Sequence, residues 1–149
     1  MKIALGADHA GYPLKEVLSR RLAEAGHELL DLGTDSTDPV DYPDYAAKVA
    51  RAVAAKTAER GIMVCGSGVG ATVAANKIDG IRAGLCHDTF SAHQGVEDDD
   101  VNVLCIGARI IGVNLAFEIV DIWLGARFSN AERHVRRRDK VIALEKSDS

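Results

Sequence analysis

The sequence predicts an α/β protein: a five-stranded parallel sheet with helices on both faces. Two observations carry this. Short apolar runs alternate with amphipathic stretches of helical period along the whole chain. Polar clusters follow the first, third and fifth apolar runs, and ligands gather beyond the carboxyl ends of the strands in such sheets.

Lys2 to Ala7 is the first apolar run, and it breaks at Asp8-His9-Ala10-Gly11. Pro13 suits the first turn of the helix that follows. Leu14, Val17, Leu18, Leu22 and Ala25 recur at helical spacing, with Lys15, Glu16, Arg20, Arg21 and Glu24 between them, and Gly26 is a stop. His27 to Leu32 is the second strand, closed by Gly33. A polar loop from Thr34 leads through Asp41-Tyr42-Pro43 into a helix whose apolar positions are Tyr45, Ala46, Val49, Ala50 and Val53. Arg60 to Cys65 is the third strand. It runs into Gly66-Ser67-Gly68-Val69-Gly70 and a short helix from Ala71 to Lys77. Gly80-Ile81-Arg82 turns the chain into a fourth strand, Ala83 to Cys86. Asp88 or Thr89 caps a helix through about Val96, and Glu97 to Asp100 reads as an acidic loop facing solvent.

Asn102 to Ile106 is the fifth strand, and Gly107-Ala108-Arg109 precedes a helix from about Gly112 to Leu124. That helix is apolar nearly all round, so it is expected to be covered twice, by the sheet and by a second subunit. Asn130 then caps an extra, charged C-terminal helix, Ala131 to about Lys146. Residues 1–149 read as one domain.

Composition excludes several classes. With 47% hydrophobic and 27% charged residues the chain is globular rather than disordered. A net charge of −4 argues against a nucleic-acid partner. No apolar run is long enough to span a membrane. Met1-Lys2-Ile3-Ala4-Leu5 enters a strand directly, without a signal peptide. Cys65, Cys86 and Cys105 match no zinc spacing and read as reduced thiols. A cytoplasmic protein without metal or cofactor is the expectation.

The chain is organised around Ile62 to Lys77. Strand, glycine turn and helix let backbone N–H groups close around an anion. Cys65 stands at the mouth of that turn, and a helix N-terminus favours a thiolate. The plain alternative is a tight connection with an inert buried cysteine.

Taken together, the motifs resemble the ribose-5-phosphate isomerase B family, which includes the galactose-6-phosphate isomerase subunits. They are Gly6-Ala7-Asp8-His9-Ala10-Gly11, Asp41-Tyr42-Pro43, Cys65 to Gly70, Ala74-Ala75-Asn76-Lys77, Gly80-Ile81-Arg82, Asn102-Val103-Leu104 and Arg133-His134. They fall in family order over almost the whole chain. The resemblance implies a Rossmann-like three-layer α/β/α domain. It implies a homodimer or dimer of dimers with shared active sites, acting on a small sugar phosphate without a cofactor.

The resemblance also implies roles. Cys65 is the base that moves the C2 proton through a cis-enediolate. Ser67 and the backbone of Gly66, Gly68, Val69 and Gly70 stabilise the enediolate oxygens. Asp8 contacts the sugar hydroxyls and assists ring opening. His9, Arg109, Arg133 and Arg137 hold the phosphate, with help from His134, and Tyr42 lines the sugar site. Many members carry His-Asn where this chain has Asp98-Asp99. That His opens the sugar ring across the subunit interface. Here either Asp98 takes the role, or Asp8 does, or the substrate has changed. Arg136 and Arg138 read as a solvated helix face, and His87 and His93 as surface or packing residues. Ribose 5-phosphate is the expected substrate. Galactose 6-phosphate, allose 6-phosphate and a tetrose phosphate are alternatives, as is a non-catalytic module binding a sugar phosphate or nucleotide.

Overall fold

The computed structural model describes residues 1–146. Five apolar runs form strands: β1 (Lys2–Ala7), β2 (Glu28–Asp31), β3 (Arg60–Cys65), β4 (Ala83–Leu85) and β5 (Val103–Gly107). All pairings are parallel, in the order β2-β1-β3-β5-β4.

The two-residue period of a strand sorts these runs onto two faces. Ile3, Leu5, Ile62, Val64, Leu104 and Ile106 point one way. There they meet helices α1 (Tyr12–Glu24), α4 (Thr89–Asp99) and α5 (Val113–Gly125), through Leu14, Leu18, Leu22, Val96, Ile119 and Trp123. Each such side chain taken wholly out of water contributes about 1.5–3 kcal/mol. Ala4, Met63, Cys65, Val103 and Cys105 point the other way, against α2 (Tyr42–Ala54) and α3 (Val69–Ala75). This second layer is thin. A Cβ on Gly6 or Gly61 would fall 2.7 or 2.6 Å from Val49, so these glycines let α2 ride directly on the strands.

A last helix, α6 (Glu132–Ala143), ends in a 3-10 turn, Leu144–Lys146, and buries only His134. It packs across the end of α4: Arg138 reaches Asp100 at 2.9 Å and stacks on Phe128. Its start differs from the expected Asn130 cap. Asn130 adopts φ +57°, the N-cap is Ala131, and the Ser129 hydroxyl accepts the Ala131 N–H at 3.1 Å.

The acidic run is a second correction. Glu97, Asp98 and Asp99 complete α4, and Asp100 closes it with φ +54°. α5 buries Ala116, Ile119, Val120, Trp123 and Leu124, leaving Val113, Leu115 and Ile122 exposed. No helix among the described residues is long and apolar enough to cross a membrane.

Candidate active site

β1 and β3 are neighbours whose chains leave in opposite directions, so a crevice opens at their carboxyl ends. The loop after β1 folds over the end of β3. The Asp8 N–H donates to the Val64 carbonyl at 3.2 Å, and Gly11 crosses that carbonyl so closely that a Cβ would collide with it. The Asp8 carboxylate, 7% exposed, accepts the Gly11 N–H at 2.9 Å. His9 Nδ1 accepts the Val40 N–H at 3.1 Å, which leaves the proton of the neutral ring on Nε2.

β3 ends at Cys65, and its Sγ accepts the Gly68 N–H at 3.1 Å. Gly68 has φ +79°, and a Cβ there would lie 2.6 Å from Leu85 and 2.9 Å from the Ile106 carbonyl carbon. Only glycine makes this turn at this height above the sheet. Ser67 is exposed, and its hydroxyl accepts the Val69 N–H at 3.2 Å.

Two side chains bracket the turn. The Tyr42 ring lies 2.6 Å from where a Gly70 Cβ would stand, and Arg109 Nη1 lies 3.3 Å from the equivalent point on Gly66. The Arg109 backbone is tied down as well, its N–H donating to the Gly66 carbonyl at 3.0 Å. Burial pushes the Cys86 thiol up to about 11 and the Cys105 thiol up to about 12.

The remaining predicted residues lie at the other end of the sheet. α4 returns from the carboxyl end of β4 to the amino end of β5, so its last turn carries Asp98 and Asp99 there. Asp98 Oδ1 stands 3.4 Å from His134 Nε2, and its Oδ2 accepts from Gln94 at 2.9 Å. His134 is 6% exposed, and its Nδ1 lies 2.6 Å from the Ser129 hydroxyl. Asp99, Arg133 and Arg137 are exposed. The length of β5, four steps of about 3.3 Å, separates this cluster from Cys65 by about 13 Å or more.

The arginines divide cleanly. Arg136 pairs with Glu132 and Arg138 with Asp100. Arg138 is thus an anchor rather than part of a solvated face. Arg133, Arg137 and Arg109 have no acidic partner among the described residues.

Residues 3–141 match a family model described as Ribose/Galactose Isomerase. The chain belongs to that family. Its membership makes it an isomerase of the aldose–ketose kind. The chain is 46% identical to ribose-5-phosphate isomerase B of Escherichia coli, over 97% of this chain and 96% of that one. It is 42% identical to D-erythrulose-4-phosphate isomerase of Pectobacterium atrosepticum, over 86% and 85%. Among solved structures it resembles Clostridium thermocellum ribose-5-phosphate isomerase B (TM-score 0.97, 44% identity, 100% of both chains). It also resembles the Mycoplasma genitalium enzyme with bound ribulose 5-phosphate (TM-score 0.94, 38% identity, 98% and 97%).

In this isomerase, then, Asp8, His9, Tyr42, Cys65, Ser67, the glycine turn and Arg109 meet at one end. Asp98, Asp99, Arg133, His134 and Arg137 meet at the opposite end of the same chain. One residue at the first end had no signal in the sequence. His87, just past β4, accepts the Gly107 N–H on its Nε2 at 2.9 Å.

Proposed function

We propose that this isomerase interconverts D-ribose 5-phosphate and D-ribulose 5-phosphate, with Cys65 as the base. The observation that carries the reading is the Cys65 thiol, facing the Gly68 N–H at the mouth of the turn that Arg109 brackets. Sγ takes the proton from C2 of the open-chain aldose and leaves a cis-enediolate; the same Sγ–H returns it to C1. Negative charge develops on O1 as the C2 proton leaves; the O2 proton then passes to O1, so that O1 ends as a hydroxyl and O2 as the ketone oxygen, with turn amides and the Ser67 hydroxyl stabilising the charge on both oxygens. Asp8 assists ring opening.

The phosphate is held by His9 Nε2–H and Arg109 from one chain and by Arg133 and Arg137 from a second copy. Two arginines four residues apart, without an acidic partner, suit a dianion. The second copy supplies them because their own chain holds them at the far end of the sheet. His134 acts by fixing α6, through its contact with Asp98 at 3.4 Å. No metal takes part in this scheme.

A tetrose phosphate is the second reading, and Asp98 favours it. A 4-phosphorylated tetrose has no free C4 hydroxyl, so it cannot close a five-membered ring and needs no ring-opening group. Asp98, engaged by Gln94 and His134, stands where many members carry that group. The similarity to an erythrulose-4-phosphate isomerase supports the same alternative.

The test is kcat/KM for ribose 5-phosphate beside erythrose 4-phosphate, galactose 6-phosphate and allose 6-phosphate, with and without EDTA. Preference for ribose 5-phosphate, unchanged by EDTA and abolished in Cys65→Ala, is the expected result. Preference for the tetrose transfers the assignment to the second reading. Full turnover by Cys65→Ala would remove the thiol from the mechanism.

A further inference from the structure

β4 stops at Leu85 while its neighbour β5 runs on to Gly107. The Cys86 N–H donates to the Cys105 carbonyl at 3.3 Å, as the last rung between them. The next amide on that side of β5, Gly107 N–H, has no strand to face. An unpaired buried amide costs about 1–3 kcal/mol. The His87 ring fills the gap, with Nε2 accepting that N–H at 2.9 Å.

Gly107 lies directly beneath the Cys65 turn. A Cβ on Gly107 would fall 2.6 Å from the Ser67 carbonyl, and one on Gly68 would fall 3.2 Å from the Gly107 nitrogen. The Gly68 N–H, in turn, is the donor facing Cys65 Sγ. His87 therefore reaches the thiol through two glycine backbones in van der Waals contact, with no slack for a side chain between them.

We propose that His87 is a positioning residue for the isomerisation. By holding the Gly107 amide it sets the height of Ser67 and Gly68 above β5, and so the aim of the Gly68 N–H at Cys65. This rests on Cys65 being the base. Without the imidazole, Gly107 N–H loses its acceptor and the end of β5 moves to find another. A displacement of about 1 Å at a reacting centre lowers a rate about 100-fold.

The experiment compares His87→Ala, His87→Gln and Cys65→Ala. It measures kcat and KM on the preferred sugar phosphate, the rate of Cys65 alkylation by iodoacetamide read by mass spectrometry, and thermal melting. In His87→Ala, kcat should fall about 10- to 100-fold with KM within about threefold, and the alkylation rate should change at least about threefold. His87→Gln, whose Oε1 can accept the same N–H, should recover most of both. Wild-type kcat and alkylation in His87→Ala would overturn the proposal. So would equal losses in both variants accompanied by equal falls in melting temperature, which is the signature of packing alone. Alkylation is read without turnover, so a failure of the Cys65 reading, seen as an active Cys65→Ala, stays distinguishable from a failure of this one.

Discussion

All three cysteines are buried: Cys65 closes β3, Cys105 lies inside β5, and Cys86 follows the last residue of β4. Cys105 is wholly enclosed and Cys86 nearly so, and burial opposes ionisation of both, up to about 12 and about 11. An unfolded thiol ionises near 8.5. Below that pH neither state is charged and stability is fully present. Above it the unfolded chain releases protons that the folded one keeps, so stability falls as pH rises towards the folded values. Melting temperature should therefore drop steeply above about pH 9, and Cys105→Ala should flatten that slope while lowering the plateau through the cavity it leaves; a slope unchanged in Cys105→Ala would refute the assignment. The position of Cys65 was legible, because an apolar run that ends in Cys before glycines can only deliver the thiol to the strand's end. The place of His87 was not. It depends on β4 stopping short of β5 across 20 residues of sequence, which no local pattern encodes.

At the level of elements, α4 departed furthest from expectation. Glu97 to Asp100 read as a loop because a run of like charges is usually solvated, and at a helix C-terminus acidic residues also oppose the helix dipole. The structure offsets that repulsion with partners on α4 and beyond it: His93 for Glu97, Gln94 and His134 for Asp98, and Arg82 and Arg138 for Asp100. Three of these partners are distant in sequence or on another element. The amphipathic helices α1 and α2, whose apolar spacing is local, lie where their periodicity put them. Because α6 touches the rest of the chain at few points, Arg138→Ala should loosen it and disperse Arg133 and Arg137. The expected result is a KM raised about three- to tenfold with kcat nearly kept. Steady-state kinetics would disprove the link by giving an unchanged KM, or a kcat loss without a KM change.

The whole molecule has its two groups of site residues at opposite ends of the strands. Sequence order lists them together, and only the sheet reveals that α4 and α6 return to the wrong end. A twofold pair of chains resolves this if each site takes Cys65 from one copy and Arg137 from the other. Cys65→Ala and Arg137→Ala chains, mixed and allowed to exchange, should then form intact sites equal to about a quarter of the total, since half the pairs are mixed and each holds one; the gain is read as kcat/KM at substrate far below KM, where Arg137→Ala alone turns over slowly. Absence of recovery despite exchange, followed by native mass spectrometry, would confine the site to one chain.

The strand order has a bearing on how the chain is made. β4 pairs only with β5, yet it is synthesised first. Until residue 107 leaves the ribosome, β4 has no place in the sheet, and β3 is an edge strand with Ile62, Met63 and Val64 unpaired on one side. The strand that bears the thiol is thus the last interior strand to be shielded, and a nascent chain halted near residue 100 offers a bare apolar edge for aggregation.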